Sequence, residues 1–180
     1  MKSEALKHAM YYGLLIGIVL IIRFLCGLLN PTLSGLGNIV TMVLLVWMTF
    51  KFSSNCRDQI FDGMWSYGKA LWYIIQLAFY GSMVSAVFVL VYTSLVPSFF
   101  EGITDLIATS LESLEESGVY SETMVDELQK TMDTMFTPRS YSAITLIANL
   151  FNGFFTGLIV AAIVKNDNPF ASTTPNDNNE

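Results

Sequence analysis

The residues able to do chemistry are few, and most lie inside long apolar runs. Arg23 is the one charge between Ala9 and Leu29. A guanidinium in such a run can snorkel to the nearer interface, make a structural hydrogen bond, bind an anionic group, or pair with a carboxylate such as Glu101. Ser142, Thr145, Asn149, Asn152 and Thr156 recur at three- and four-residue steps, so a helix carries them on one face. Gly153 and Gly157 stand beside that stripe, and a second apolar run offers Gln76, Gly81, Ser82 and Ser85. Small residues let helix backbones approach closely, and amides and hydroxyls then bond across the gap for roughly 1 kcal/mol each. The pairs Gly13-x-x-x-Gly17 and Gly153-x-x-x-Gly157 have that spacing. The alternative use of the same groups is a polar path for a solute. Two asparagines one turn apart suffice to fix an interface and are too few to line a pore.

The other reactive side chains do not assemble into catalytic, cofactor or metal sets. His8 is the single histidine, which excludes a multi-His metal site and a serine or cysteine triad. It reads as an interfacial residue near a helix start. Gly63 to Gly68 holds glycines but lacks the following Lys-Ser/Thr of a phosphate loop. Glu115 and Glu116 read as part of a solvated acidic face. Within the apolar runs no Asp or Glu occurs, so proton-coupled transport lacks its usual carriers. The two cysteines, Cys26 and Cys56, cannot form a disulfide framework; one reads as a buried apolar thiol and the other as a free cytosolic one. A net charge of −6 with no basic stripe excludes nucleic acid. The sequence therefore predicts no enzyme, no cofactor and no metal site.

The elements that must position these residues follow from where charge is missing. The chain has 180 residues, 53% hydrophobic and only 13% charged, against about 25% charged in soluble domains. Nine of the fifteen carboxylates fall between Glu101 and Asp133. That segregation names lipid as the solvent. The organising stretch is Gly63 to Glu101, free of charge from Ala70 through Phe100 and long enough as a helix to cross a bilayer. Spans are predicted over about 8–29, 36–52, 69–97 and 140–165. Thr32 to Gly37 should form a short turn, and Ser53 to Tyr67 a polar loop. The first run lacks an A-x-A cleavage pattern and continues beyond Arg23, so it reads as an uncleaved span.

Residues 98–139 change character. Phe99, Ile103, Leu106, Ile107, Leu111 and Leu114 recur at helical spacing, with Glu101, Asp105, Glu112, Glu115 and Glu116 opposite. Ser117-Gly118 breaks this helix, and Ser121 is placed to N-cap a second one ending before Pro138. The pair predicts an acidic amphipathic hairpin at the membrane surface. Residues 166–180 are rich in Asn, Thr and Pro and predict a disordered tail. Lys2, Lys7, Lys51, Arg57, Lys69 and Lys165 flank one side of the spans, which places both termini in the cytosol and the hairpin in the periplasm.

At Gly63-Met-Trp-Ser-Tyr-Gly-Lys-Ala70 and Pro97-Ser-Phe-Phe-Glu101 the chain resembles an uncharacterised family, the domain of unknown function 4199. The resemblance runs from about residue 5 to Lys165 and implies a small four-span membrane protein of the Gram-negative bacterial inner membrane. It implies no activity and no catalytic residue. The expected fold is an all-α integral membrane protein: a single domain over residues 1–165 with four transmembrane helices and the hairpin between spans three and four. The expected role is a structural or accessory component that self-associates or binds a membrane partner. The alternative is a small transporter or channel component with a polar pathway near Arg23, Asn149 and Asn152.

Overall fold

The computed structural model describes residues 2–29, 31–116 and 121–166. Among these residues the chain forms six helices and no strand: α1 (Lys2–Leu29), α2 (Pro31–Ile60), α3 (Tyr67–Leu95), α4 (Ser98–Glu116), α5 (Glu122–Met135) and α6 (Pro138–Val164). Four of them, α1, α2, α3 and α6, are long and apolar enough to cross a membrane. Their outward surfaces are lipid-like: Ile39, Val40, Val43 and Trp47 of α2 and Phe151, Phe155, Ile159 and Ile163 of α6 are all well exposed. A water-soluble helix would carry polar groups there; these carry methyl groups and rings.

The expected boundaries shift at α2. The stretch Thr32–Gly37, expected as a turn, is helical, because α2 already begins at Pro31. Proline suits a first helical position, where its missing N–H has no intrahelical acceptor to lose. The polar loop expected from Ser53 begins only after Ile60. Ser53-Ser54-Asn55 reads as loop by composition, yet Ser53 and Cys56 are fully buried, and Phe52 and Ile60 pack on the same core. That buried face holds the helix through a polar sequence. The reversal after it is a left-handed pair, Asp62 at φ 51 and Gly63 at φ 79. The Phe61 N–H makes the last helical bond to the Arg57 carbonyl, and the left-handed Asp62 lets the Gly63 N–H reach that same oxygen, each at 3.1 Å.

The helices cluster by contact into two compact units, one of Met1–Val84 with the chain from Asn149, the other of Ser85–Ala148. In the first, α1 and α2 pack along one another. Its core gathers Ile16, Leu20, Trp65, Tyr73, Ile74, Leu77, Val160 and Val164. Close backbone approach comes from glycine. A Cβ at Gly13 would stand 2.7 Å from the Tyr80 Cβ, and one at Gly17 would stand 2.7 Å from the Val84 Cβ. Conversely, a Cβ on Gly81 would meet Ile16 Cγ2 at 2.8 Å, so α1 and α3 are matched from both sides.

In the second unit, the Ser142 hydroxyl donates to the Ala86 carbonyl at 2.8 Å, tying α6 to α3 at a buried point. Tyr141 meets Phe99, Phe100 and Phe136 at ring-centroid distances of 5.5, 5.8 and 6.4 Å. That cluster joins the start of α4, the end of α5 and the start of α6. Helices α4 and α5 touch one another, with Leu111 and Val125 buried and Glu101, Asp105, Asp126 and Glu127 exposed. The expected break at Ser117-Gly118 lies outside the described residues. Ser121 does occupy the N-cap position of α5, but its hydroxyl makes no cap bond and pairs with Thr123 Oγ1 at 3.1 Å. At α6 the cap is made: Thr137 Oγ1 accepts from the Ser140 N–H at 3.3 Å, with Pro138 at the first helical position.

The first residue of the predicted tail, Asn166, is among those described. Asn166 exchanges two backbone hydrogen bonds with Trp65, each 2.8 Å, in an isolated antiparallel bridge. The rest of the predicted tail, 167–180, lies outside the described residues.

Candidate functional site

Four helices of the first unit enclose a cavity of about 40 Å³. Ile16 and Leu20 of α1, Met42 and Leu45 of α2, and Ile74 and Ala78 of α3 supply its apolar wall. Its polar lining is Thr49 of α2, Ser82 of α3, and Asn149, Asn152 and Thr156 of α6. The helical spacing of the α6 stripe delivers three of its five members to one place, and Gly153 lines the same cavity, while Ser142 and Thr145 bond elsewhere, to the Ala86 and Tyr141 carbonyls. Ser82 is fully buried, and its hydroxyl has no hydrogen-bond partner among the described residues. A water needs at least about 10–15 Å³ of such space and two to four polar partners. The cavity meets both conditions for a small water cluster, and it is too small for an organic solute.

The six intramembrane residues expected to matter fall into three groups. Asn149, Asn152 and Gly153 share the cavity. Gly153 and Gly157 set the approach of α6 to α3: a Cβ at Gly153 would overlap the Ala78 Cβ, and one at Gly157 would meet Ile74 Cγ2 at 3.1 Å. Arg23 and Gln76 are not on the cavity wall. Gln76 is half-buried on α3. Arg23 donates from Nε to Asn38 Oδ1 at 2.7 Å. Its structural partner is therefore an amide of α2. Both residues lie on stretches expected to be helical, and the packing of α2 on α1 brings them together.

A second polar cluster went unread in the sequence. His8 Nδ1 and the Tyr73 hydroxyl are 2.6 Å apart, and the His8 ring lies 4.2 Å from that of Tyr12. Tyr12 in turn packs on Phe52 at 4.3 Å, and Tyr73 lies 5.4 Å from Trp65. His8 is thus a packed residue of α1, well inside the helix. Cys56, expected as a free thiol in the cytosolic loop, is free but lies on α2, fully buried beside Tyr73, while Cys26, expected as a buried apolar thiol, is free and half-buried. His8 Nε2, Ser53 Oγ and Trp65 Nε1 are buried without partners among the described residues. The available signal was the three-residue step from Ser53 to Cys56, which puts both on one face once α2 is known to continue.

Beside this cluster the end of α6 is clasped. Arg57 donates from one terminal nitrogen to the Val164 carbonyl at 3.1 Å and pairs through Nε with Asp58 at 2.7 Å. A cation on the last carbonyls of a helix is also favourably placed against the helix dipole.

No curated protein and no solved structure matches the chain. A family model described as a protein of unknown function, DUF4199, matches residues 9–166, nearly the whole chain, and by that match the chain belongs to the family.

Proposed function

We propose that this is a non-enzymatic multi-pass protein of the bacterial inner membrane, acting as a structural or accessory component by association with itself or a membrane partner. The observation that carries this reading is how the intramembrane polar and small residues are used. Gly13, Gly17, Gly81, Gly153 and Gly157 stand against neighbouring helices, and the cavity between them holds about 40 Å³. Among the described residues this cavity offers water-sized space, too little for an organic solute, which favours action through what the protein binds. The exposed Glu101, Asp105, Asp126 and Glu127 give α4 and α5 a polar surface of their own.

Both termini lie in the cytosol on this reading, because Lys and Arg concentrate at the amino terminus, around Lys51 to Lys69, and at Lys165. The α4–α5 pair then sits in the periplasm at the membrane surface. Reporters fused at either terminus should read cytosolic, and one inserted near Gly118 periplasmic; the reverse pattern overturns the orientation. The association itself is tested by native mass in lipid nanodiscs after mild extraction. A defined oligomer or a stoichiometric second protein supports it, and a lone chain without a partner counts against it.

A second reading is favoured by Asn149, Asn152, Thr49, Thr156 and Ser82 meeting on one cavity wall. Several copies together would then form a small transporter or channel component, with a path near Arg23, Asn149 and Asn152. It requires solute flux in proteoliposomes that falls when Asn149 or Arg23 is replaced.

A further inference from the structure

Asn152 is, among the described residues, the one polar residue of the cavity wall that is also well exposed. It lies near the middle of α6. Among the described residues its amide makes no side-chain hydrogen bond. An amide facing hydrocarbon at mid-span is costly, since acyl chains can neither donate nor accept.

The residues that follow it on the same face form a seam. Asn152, Phe155, Ile159 and Ala162 are spaced by three, four and three residues, and all are exposed, Phe155 at 60% and Ile159 at 65%. That is the alternation of a two-stranded helical seam, with Asn152 and Ile159 in one register position and Phe155 and Ala162 in the other. Gly153 and Gly157 already face α3, so the small-residue motif of α6 is occupied within the chain. The seam lies roughly opposite those glycines around the helix.

We infer that a second copy of this chain covers the seam, its α6 packed parallel to the first with the two Asn152 amides bonded to each other. This rests on the self-association branch of the proposed function and gives it an interface. A second copy fits for a reason of symmetry. An amide carries both donors and an acceptor, and a two-fold axis along the membrane normal brings the same residue to the same depth. An unrelated membrane partner would need its own polar group at that level.

The test uses the full chain, fluorescently labelled, in liposomes over a range of protein-to-lipid ratios, with stoichiometry read by single-molecule photobleaching. The wild type should dimerise, Asn152→Leu should weaken the dimer by about three- to tenfold, and Asn152→Gln should recover most of it. A second measurement uses oxidative cross-linking in a Cys26→Ser, Cys56→Ala background. Phe155→Cys should cross-link in the membrane, and Val43→Cys, equally exposed on α2, should not. A dimer that ignores Asn152→Leu and links through Val43→Cys overturns this interface and leaves self-association standing. Monomers at every dilution overturn both, and a stoichiometric foreign protein protecting Phe155→Cys from modification overturns the second copy as the occupant.

Discussion

The packing of α6 on α3 rests on the absence of one methyl group at Gly153. Alanine is the better helix former by about 1 kcal/mol, yet a Cβ there would overlap that of Ala78. Gly153→Ala should therefore destabilise by about 1–3 kcal/mol through forced backbone shift. Adding Ala78→Gly should return much of the loss, since the pair is coupled through one contact. Gly37→Ala is the control: nothing lies within 4 Å of a Cβ at that position. It should be neutral or slightly stabilising, all three variants being compared by unfolding in the same detergent. The His8–Tyr73 bond makes a second residue-scale claim. Tyr73→Phe removes the hydroxyl 2.6 Å from His8 Nδ1. It should cost about 1–3 kcal/mol, the penalty for leaving a buried polar atom unpaired. The His8→Phe, Tyr73→Phe double variant should lose less than the sum of the two single changes.

Among the elements, the turn between α2 and α3 and the cap of α6 depend on backbone conformation more than on contacts. Gly63 has φ 79 with no neighbour within 4 Å of its missing Cβ. Gly63→Ala should thus cost about 1–2 kcal/mol, a purely conformational penalty, while Gly68→Ala, also in open space, should be tolerated. Thr137→Ala should cost about 1 kcal/mol by releasing the first turn of α6. These same elements show what a sequence can and cannot announce. The four spans are legible because uncharged runs of that length have one solvent. Asn149, Asn152 and Thr156 are legible as a group because helical spacing aligns them, whereas Ser82 of α3 meets them only through packing. Thr49 is silent, one hydroxyl among the apolar residues of α2, and it joins the site only through packing. The end of α2 misleads because Ser53-Ser54-Asn55 has loop composition while its burial is decided by Trp65, Tyr73 and other residues distant in sequence. Arg23 could be recognised as needing a partner, but Asn38 could not be chosen for it, because spacing along one helix does not say which residue of the next helix it meets. The Gly-x-x-x-Gly pairs announce close approach without naming the helix approached. The structure assigns Gly13 and Gly17 of α1, and Gly153 and Gly157 of α6, to α3.

At the scale of the molecule, one short backbone bridge joins regions about 100 residues apart, Trp65 and Asn166. A chain ending after Asn166 keeps both 2.8 Å bonds, and one ending after Val164 loses them. The shorter chain should be less stable by about 1–3 kcal/mol, and its Trp65 should become accessible to a fluorescence quencher. The bridge also bears on the order of biogenesis. Helices α1 and α2 are adjacent in sequence and can pair as soon as both have left the ribosome. Trp65, synthesised directly after them, must wait for its partner until α3 through α6 have been made and the last span is inserted. Its burial is then a completion signal: until Asn166 emerges, an indole and an open backbone edge remain available to chaperones or proteases. A stalled or truncated product would be marked by that exposed tryptophan.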